Sequence, residues 1–136
     1  MTTLSQDIAI QSLVQQAIDA AQHAYIPYSH YPVGAALLAA DGTVYKGCNI
    51  ENASYPVTIC AERTALVKAV SEGQREFEMI AVVTRNGGSP CGMCRQMLFE
   101  FAPNLRVIIA DLEGQIHSEY RLHELLPDGF GPSKLV

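Results

Sequence analysis

The chain has 136 residues, the usual length of one domain with one hydrophobic core. Hydrophobic residues make up 49% of it and charged residues 17%, a balance that excludes a wholly disordered chain. The formal net charge of −5 argues against nucleic acid or an anionic membrane surface as the main partner. No apolar run reaches the roughly 18 residues that a membrane span needs. We therefore expect a single domain over residues 1–136 with no nucleic-acid or membrane partner.

The first segment predicts an amphipathic helix. Apolar side chains recur at helical spacing from Ile10 to Tyr25. Thr3 and Gln6 fit a capping box at its start, and Pro27 is expected to end it. No positive charge precedes the first apolar stretch, so a secretory signal is not predicted and a cytoplasmic location is expected.

Two short strands joined by a tight turn are predicted next. Residues 33–40 are apolar on both faces, which predicts a strand that is central in its sheet. Asp41-Gly42 favours a hairpin turn, and the mixed segment 44–48 predicts an edge strand.

The remaining segments predict helices and strands in alternation. A helix is expected over 60–70, and a second helix is expected to begin with Ser89 as its N-cap and Pro90 as its first residue. The other predicted elements are strands at 79–83, 105–110 and 116–120 and a short helix at 121–126. The last two strands are joined too closely for a parallel crossover, so they should be antiparallel. The order predicts an α/β fold with a five-stranded mixed sheet and helices on both faces.

The chemistry of the chain is concentrated in Cys60-Ala61-Glu62 and Pro90-Cys91-Gly92-Met93-Cys94. Both pieces are predicted at helix starts, where the helix dipole favours thiolates. Three cysteines around an open position are the arrangement of a catalytic zinc site, whereas four protein ligands close a structural one. Glu62 cannot share a lateral helix face with Cys60, so we expect it beside the open position, where it could exchange protons with water and substrate.

Three other interpretations of the cysteines are open. Cys48 could be a fourth ligand and close a structural zinc site. The cysteines could instead be small buried apolar residues. Cys91 and Cys94 could form a thioredoxin-like redox pair, although that leaves Cys60 and Glu62 unexplained.

Arg63 follows this cluster directly in the sequence. Zinc with three thiolates carries a formal charge of −1, and this excess negative charge opposes the ionisation of water. A nearby cation should therefore be needed, and we expect Arg63 to supply it rather than to lie solvated on a helix surface.

Four stretches of the chain resemble the small cytidine deaminases over nearly its whole length. They are Tyr31-Pro32-Val33-Gly34-Ala35-Ala36-Leu37-Leu38, Cys48-Asn49-Ile50-Glu51-Asn52, Cys60-Ala61-Glu62-Arg63-Thr64-Ala65 and Ser89-Pro90-Cys91-Gly92-Met93-Cys94-Arg95-Gln96. The zinc-deaminase signature occurs here in its three-cysteine form, with Cys60 at the place where His is more common. The resemblance implies the three-layer α/β/α cytidine deaminase fold, one Zn²⁺ per chain held by Cys60, Cys91 and Cys94, and a homotetramer. It also implies the hydrolytic deamination of cytidine and 2′-deoxycytidine to uridine and 2′-deoxyuridine, with Glu62 moving the protons.

The same resemblance assigns further residues to the substrate. Asn49 and Glu51, which period two places on one side of the chain, are implied to hold the ribose 3′-hydroxyl. Tyr31, where the family usually has Phe, is implied to pack against the pyrimidine or sugar, and its hydroxyl needs a partner. The backbone of Ala61 and Ser89 is implied to read the polar edge of the base. Arg63 is implied to hydrogen-bond the thiolate sulfurs. Tyr55 and Phe130 look like the aromatic residues that family members lend to a neighbouring subunit.

Other functions are weighed against this one. A deaminase of another free aminopyrimidine nucleoside, such as blasticidin S, would share the same metal and carboxylate chemistry. A nucleic-acid editor is disfavoured by the acidic charge balance. A zinc-stabilised domain without enzymatic activity would need a fourth protein ligand on the metal.

Overall fold

The computed structural model describes residues 3–135, and it describes side chains from residue 8 onward. The helices are α1 (Thr3–Ala21), α2 (Ala61–Ser71), α3 (Gly92–Phe99) and α4 (Leu122–Leu125). The strands are β1 (Gly34–Ala39), β2 (Val44–Cys48), β3 (Phe77–Thr84), β4 (Arg106–Asp111) and β5 (Ile116–Arg121). Two 3₁₀ turns, Tyr55–Val57 and Pro132–Lys134, were not predicted. Within this part of the chain no helix is long and apolar enough to cross a membrane.

The predicted five-stranded mixed sheet is confirmed, with the strand order β2-β1-β3-β4-β5. β1 pairs antiparallel with both β2 and β3, β3 and β4 are parallel, and β4 and β5 are antiparallel, as the short connection predicted. β1 is an interior strand and β2 an edge strand, in keeping with their apolar and mixed sequences, although β3 occupies the middle of the sheet.

Each face of the sheet carries its own core, which confirms the three-layer α/β/α architecture. Alternate residues of β1 point to opposite faces, so that Ala36 contacts the core under α1 while Ala35 and Leu37 contact the core under α2 and α3. The core under α1 includes Val14 and Ala17 from that helix. Small alanine side chains on both faces let the helices lie close to the sheet.

The first helix ends earlier than the sequence predicted. It stops at Ala21 rather than at Pro27, and Tyr25 lies outside it with 57% of its surface exposed. Tyr25 instead forms an isolated bridge to Ile50: its N–H donates to the carbonyl of Asn49, and its own carbonyl accepts from Glu51 N–H. These pairings with the 49–51 segment replace the helical hydrogen bonds of this turn. The capping box predicted at Thr3 and Gln6 falls on side chains outside the described ones.

The start of α3 also differs from the prediction. The helix begins at Gly92 with Cys91 as its N-cap, so the N-cap is not Ser89 and Pro90 is not the first helical residue. The guanidinium of Arg95 explains the shift, because it donates to the Pro90 carbonyl and to Ser89 Oγ and so holds both residues in the preceding loop. Cys91 now matches Cys60, which is the N-cap of α2.

Both cysteine N-caps lie at the same end of the sheet. The loop to α2 leaves the carboxyl end of β2, and the loop to α3 leaves the carboxyl end of β3. The register pairs Gly34 with Cys48 on one side and with Val83 on the other, so these two strand ends flank the start of β1. Ligand sites of open α/β sheets form at the carboxyl ends of strands.

Gly47 lets the start of α2 lie directly on β2. A Cβ atom at this position would lie 2.5 Å from the carbonyl oxygen of Ala61 and 2.5 Å from the backbone nitrogen of Ala65. Both atoms belong to the helix backbone and cannot turn away as a flexible side chain could. The absence of a side chain at Gly47 therefore sets the position of the helix that carries Cys60 and Glu62.

We expect Gly47→Ala to lower the free energy of unfolding by about 2–3 kcal/mol, because the added methyl group forces α2 away from the sheet. Gly92→Ala is the matched control, since a Cβ there meets no atom within 4 Å, and it should change stability by less than about 1 kcal/mol. Urea unfolding of the three proteins measures both values. Equal midpoints for Gly47→Ala and the unsubstituted chain would contradict the close approach.

Candidate metal centre and catalytic cavity

Three cysteine sulfurs meet where the two helix starts converge. The Sγ atoms of Cys60 and Cys91 lie 3.9 Å apart, those of Cys91 and Cys94 lie 3.4 Å apart, and all three fall within 4.8 Å of one another. Zinc bound tetrahedrally at about 2.3 Å from each sulfur requires sulfur separations of about 3.8 Å. The spacing of these donors therefore fits one zinc ion.

The surroundings of the cluster favour thiolate at Cys60. Hydrogen bonds from the Cys94 thiol and from Arg63 lower the pKa of Cys60 to about 5. Donation to Cys60, together with burial, raises the pKa of Cys94. The N-cap position adds the partial positive charge of the helix start to both Cys60 and Cys91.

Glu62 lies in the first turn of α2 and is buried, with 4% of its surface exposed. Burial raises the pKa of its carboxyl group to about 7. Among the described residues, the group of metal-binding side chains contains Cys60, Cys91 and Cys94 but not Glu62. The carboxyl group is therefore placed beside the sulfur cluster, with a pKa suited to taking up and releasing a proton near neutral pH.

Arg63 reaches back to the same cluster. Its Nη2 lies 3.6 Å from Cys60 Sγ and 3.4 Å from the Thr58 carbonyl oxygen. Its hydrogen bond to Cys60 raises the pKa of Arg63, so the guanidinium remains charged. The buried Nε of Arg63 has no hydrogen-bond partner within residues 3–135. The geometry is that of a cation held against a thiolate.

A cavity of about 210 Å³ opens next to the sulfurs. Among the residues predicted for the site, its lining includes Tyr31, Asn49, Cys60, Ala61, Glu62, Ser89 and Cys91. Its volume is smaller than the roughly 300–1,000 Å³ of pockets for drug-sized ligands. A cavity of this size, with a buried carboxyl group and thiols in its wall, suits a small polar ring.

Asn49 and Glu51 are both occupied by nearby backbone. Asn49 Oδ1 accepts from Val33 N–H at 2.9 Å, and its amide group donates to the Tyr31 carbonyl at 2.9 Å. Glu51 Oε1 accepts from the backbone N–H groups of Tyr28 and Ser29, and its hydrogen bonds with Ser29 are the first cause of its lowered pKa. Asn49 lines the cavity, whereas Glu51 lies outside its lining.

The hydroxyl of Tyr31, which was expected to need a hydrogen-bond partner, has one. It donates to Asn86 Oδ1 at 2.6 Å, and the guanidinium of Arg85 lies over the ring, 5.1 Å from its centre. Neither Asn86 nor Arg85 was predicted from the sequence. A polar loop directly after a buried strand was the only signal, and it does not distinguish these residues from ordinary turn residues.

Tyr55 and Phe130 are not brought into the cavity. Their surfaces are 70% and 54% exposed, and neither lines the space beside the sulfurs. The ring of Tyr55 packs edge-on against Tyr28 at 5.8 Å. The backbone carbonyl of Phe130 accepts from Gln96 on α3.

Cys48 does not join the other three thiols. It lines a separate cavity with Lys46, Thr64 and Lys68, and burial raises its pKa. The described residues thus offer three cysteine ligands and leave the fourth position of a tetrahedral metal to a non-protein ligand, which is the arrangement of a catalytic zinc. This geometry disfavours the closed structural site.

Comparison with known proteins agrees with this geometry. The family model for the cytidine and deoxycytidylate deaminase zinc-binding region matches residues 8–110. A cytidine deaminase of Sporosarcina psychrophila is 49% identical over 129 residues, which cover 93% of this chain and 94% of that protein. A cytidine deaminase of Halalkalibacterium halodurans is 52% identical over 123 residues, covering 88% of this chain and 92% of that protein.

A crystal structure of cytidine deaminase from Burkholderia pseudomallei superposes with a TM-score of 0.84 at 44% identity, covering 96% of this chain and all of that one. The fold, the zinc-binding region and these relatives together give one result: the chain belongs to the cytidine and deoxycytidylate deaminase family of zinc enzymes.

Proposed function

We propose that this protein hydrolyses cytidine and 2′-deoxycytidine to uridine and 2′-deoxyuridine, releasing ammonia, as a step of pyrimidine salvage. The observation that carries the proposal is the buried carboxyl group of Glu62 in the same small cavity as the three-cysteine cluster. The names of its relatives, cytidine deaminases at 49% and 52% identity, support the same substrate.

Cys60, Cys91 and Cys94 are the proposed ligands of one zinc ion per chain. When bound, zinc would act as a Lewis acid and make water a nucleophile near neutral pH. Arg63 is proposed to offset the negative charge of three thiolates, since its guanidinium lies 3.6 Å from Cys60 Sγ. Without this cation, the excess negative charge would oppose the ionisation of water.

Glu62 is the proposed catalytic acid and base. The carboxylate accepts a proton from the attacking water and delivers it to ring N3, which makes C4 electrophilic. Glu62 then takes the proton of the new C4 hydroxyl group and passes it to the exocyclic amine, which leaves as ammonia while the C4 oxygen becomes the carbonyl of uridine. Its pKa of about 7 suits both directions of transfer, because neither protonation state is strongly favoured near neutral pH.

The base and sugar are proposed to be bound by the cavity wall. The backbone N–H of Ala61 and the carbonyl of Ser89 face the polar edge of the base, and Tyr31 packs against the pyrimidine or the sugar. Asn49 keeps one amide N–H beyond its bond to Tyr31, and Glu51 keeps its second carboxylate oxygen, for the ribose 3′-hydroxyl.

The whole chain, residues 1–136, is proposed to act as one catalytic domain, since both cores share a single sheet. We also propose a homotetramer. An apolar groove lined by Met93, Met97 and Phe101 lies on α3 beside Arg63, and 64% of the Met93 surface is exposed. Exposed apolar surface of this kind marks interaction sites. A cytoplasmic location is proposed because all four cysteines are free thiols.

One experiment distinguishes these activities. Cytidine, 2′-deoxycytidine and blasticidin S are offered separately to the purified protein, the loss of cytosine absorbance is followed, and zinc is measured in the same sample. Turnover of the two nucleosides with about one zinc per chain supports the proposal. Turnover of blasticidin S alone would contradict the assigned substrate, and zinc without any turnover would contradict an enzymatic role.

We expect Glu62→Gln to retain one zinc per chain and to lose at least about 100-fold in kcat, because an amide keeps the shape of the side chain but cannot carry the proton. Metal analysis and steady-state rates with cytidine check both parts. Glu113→Gln in the exposed β4–β5 turn is the matched control and should keep the full rate. Loss of zinc from Glu62→Gln would instead identify Glu62 as a ligand.

If Asn49 and Glu51 hold the 3′-hydroxyl, 3′-deoxycytidine should have a kcat/KM at least about 100-fold below that of 2′-deoxycytidine. A site that hydrogen-bonds a hydroxyl leaves its polar groups unpaired when that hydroxyl is missing. Asn49→Ala should reduce the ratio of kcat/KM for 2′-deoxycytidine to kcat/KM for 3′-deoxycytidine. Equal kcat/KM values for the two analogues in the unsubstituted protein would remove both residues from the sugar site.

The assembly proposal predicts a tetramer in sedimentation at assay concentration. Ending the chain before Pro127 removes Phe130 while leaving α4, so the affinity for cytidine should fall and zinc should stay. Phe130→Ala tests the side chain alone and should give the same direction of change. A monomer with full activity would contradict a shared pocket.

A further inference from the structure

We infer that Asn86 is a positioning residue that holds the β3–α3 loop (residues 85–91) against the cavity through the hydroxyl of Tyr31. We call the hydrogen bond between Tyr31 Oη and Asn86 Oδ1 the loop clasp. Its role in substrate binding rests on the proposed function. Asn86 itself is exposed and does not line the cavity, so it acts through other residues.

The clasp is part of a continuous chain of hydrogen bonds. Tyr31 donates to Asn86 Oδ1 at 2.6 Å, and the hydroxyl of Thr84 donates to the same oxygen at 3.4 Å. Thr84 Oγ1 in turn accepts from the backbone N–H of Gly88 at 2.7 Å. The amide oxygen of Asn86 thus accepts from two hydroxyl groups. Together these hydrogen bonds connect the segment before β1 with the end of β3 and with the loop. Linked hydrogen bonds of this kind strengthen one another.

Three of these hydrogen-bonded residues line the cavity. Tyr31, Thr84 and Gly88 all line the cavity, as does Ser89, which follows directly in the loop. The packing is close, since a Cβ atom at Gly88 would lie only 3.3 Å from the Tyr31 hydroxyl oxygen. A movement of the loop away from Tyr31 would therefore change the width of the space in which the base is proposed to bind.

Arg85 adds a second link between the same two segments. Its guanidinium lies over the Tyr31 ring and donates to the carbonyl of His30 at 2.6 Å. This link uses the ring and the backbone, so removing the Tyr31 hydroxyl leaves it in place. The hydroxyl can be tested separately from the aromatic ring for this reason.

The opposite side of the loop is held independently. Gly87 has a φ of +72° and packs against the ring of His117, where a Cβ atom would lie 2.6 Å from Nδ1. The ring is fixed by its bond from Nε2 to Asp111 Oδ2 at 2.8 Å. With this side anchored, the loop clasp controls only the side of the loop that faces the cavity.

The expected effect is on binding rather than on the chemical step. Substrate affinity falls in proportion to the fraction of molecules whose loop is in the competent position. Loss of one hydrogen bond of ordinary strength corresponds to a change of roughly 3- to 10-fold in such an equilibrium. Neither the Tyr31 hydroxyl nor Asn86 hydrogen-bonds Glu62 or the cysteine sulfurs, so kcat should change less than KM.

The test uses the zinc-loaded protein and cytidine. Tyr31→Phe and Asn86→Ala should each raise KM roughly 3- to 10-fold while kcat changes less than about twofold. The double variant should be no worse than Asn86→Ala alone, because Asn86→Ala already removes the hydrogen bond that Tyr31→Phe deletes. Asn86→Asp keeps an oxygen acceptor and should restore most of the affinity. Tyr120→Phe on the edge strand β5 is the matched hydroxyl deletion and should leave KM unchanged.

A second measurement follows the loop without any turnover. Trypsin cleaves after arginine, so the rate of nicking between Arg85 and Asn86 reports how often the loop leaves its position. Tyr31→Phe should increase this rate, and Tyr120→Phe should leave it unchanged.

The outcomes separate the two proposals. Absence of cytidine turnover in the unsubstituted protein would contradict the proposed function, while faster nicking in Tyr31→Phe would still support the loop clasp. An active protein in which Tyr31→Phe has the original KM and nicking rate would overturn the loop clasp. Additive effects in the double variant would overturn it too, since Tyr31 and Asn86 would then act separately.

Discussion

Three cysteine sulfurs within 4.8 Å of one another would repel each other as thiolates, the form in which they bind a metal, and the rest of the site is arranged around that repulsion. Two of the cysteines are helix N-caps, so the partial positive charge of a helix start faces each of them. Arg63 contributes a full charge from the first turn of α2. The sheet brings the two helix starts together because their loops leave neighbouring strand ends on either side of β1. A cation bound between the sulfurs completes the balance.

The same arrangement explains why Glu62 can lie beside the cysteine cluster without belonging to it. Cys60 caps the helix, and Glu62 lies two residues later within its first turn. Burial under the loops keeps water from stabilising the carboxylate, and the pKa rises for that reason. The position of Glu62 and the packing of α2 on the sheet therefore both depend on the close contact between the α2 backbone and Gly47.

Much of the fold could be predicted from the sequence because strand and helix patterns are local. The apolar run of β1, the turn at Asp41-Gly42 and the cysteines at the two helix starts each carry a signal within a few residues. The end of α1 and the start of α3 could not be predicted, because both depend on distant partners. Tyr25 pairs with the 49–51 segment, and Arg95 draws Ser89 and Pro90 out of the helix.

The candidate site also contains residues that local sequence predicts and residues that it does not. The three cysteines and Glu62 were identified from motif and spacing, and the structure brings them together, although their roles remain predictions. The partner of the Tyr31 hydroxyl could not be foreseen, since Asn86 is 55 residues away in sequence. The position of Glu51 could not be foreseen either: one of its carboxylate oxygens accepts from the backbone of Tyr28 and Ser29, outside the lining of the cavity that contains Asn49.

The two outer strands bear on how the protein behaves in concentrated solution. An uncovered strand edge invites another chain to add to the sheet. On β5 most side chains are exposed, and Glu119 forms an ion pair with Arg106 across to β4. On β2 the carbonyl of Lys46 is already bound by the ammonium group of Lys68. Charged groups therefore lie on both outer strands, which discourages copies of the chain from joining edge to edge.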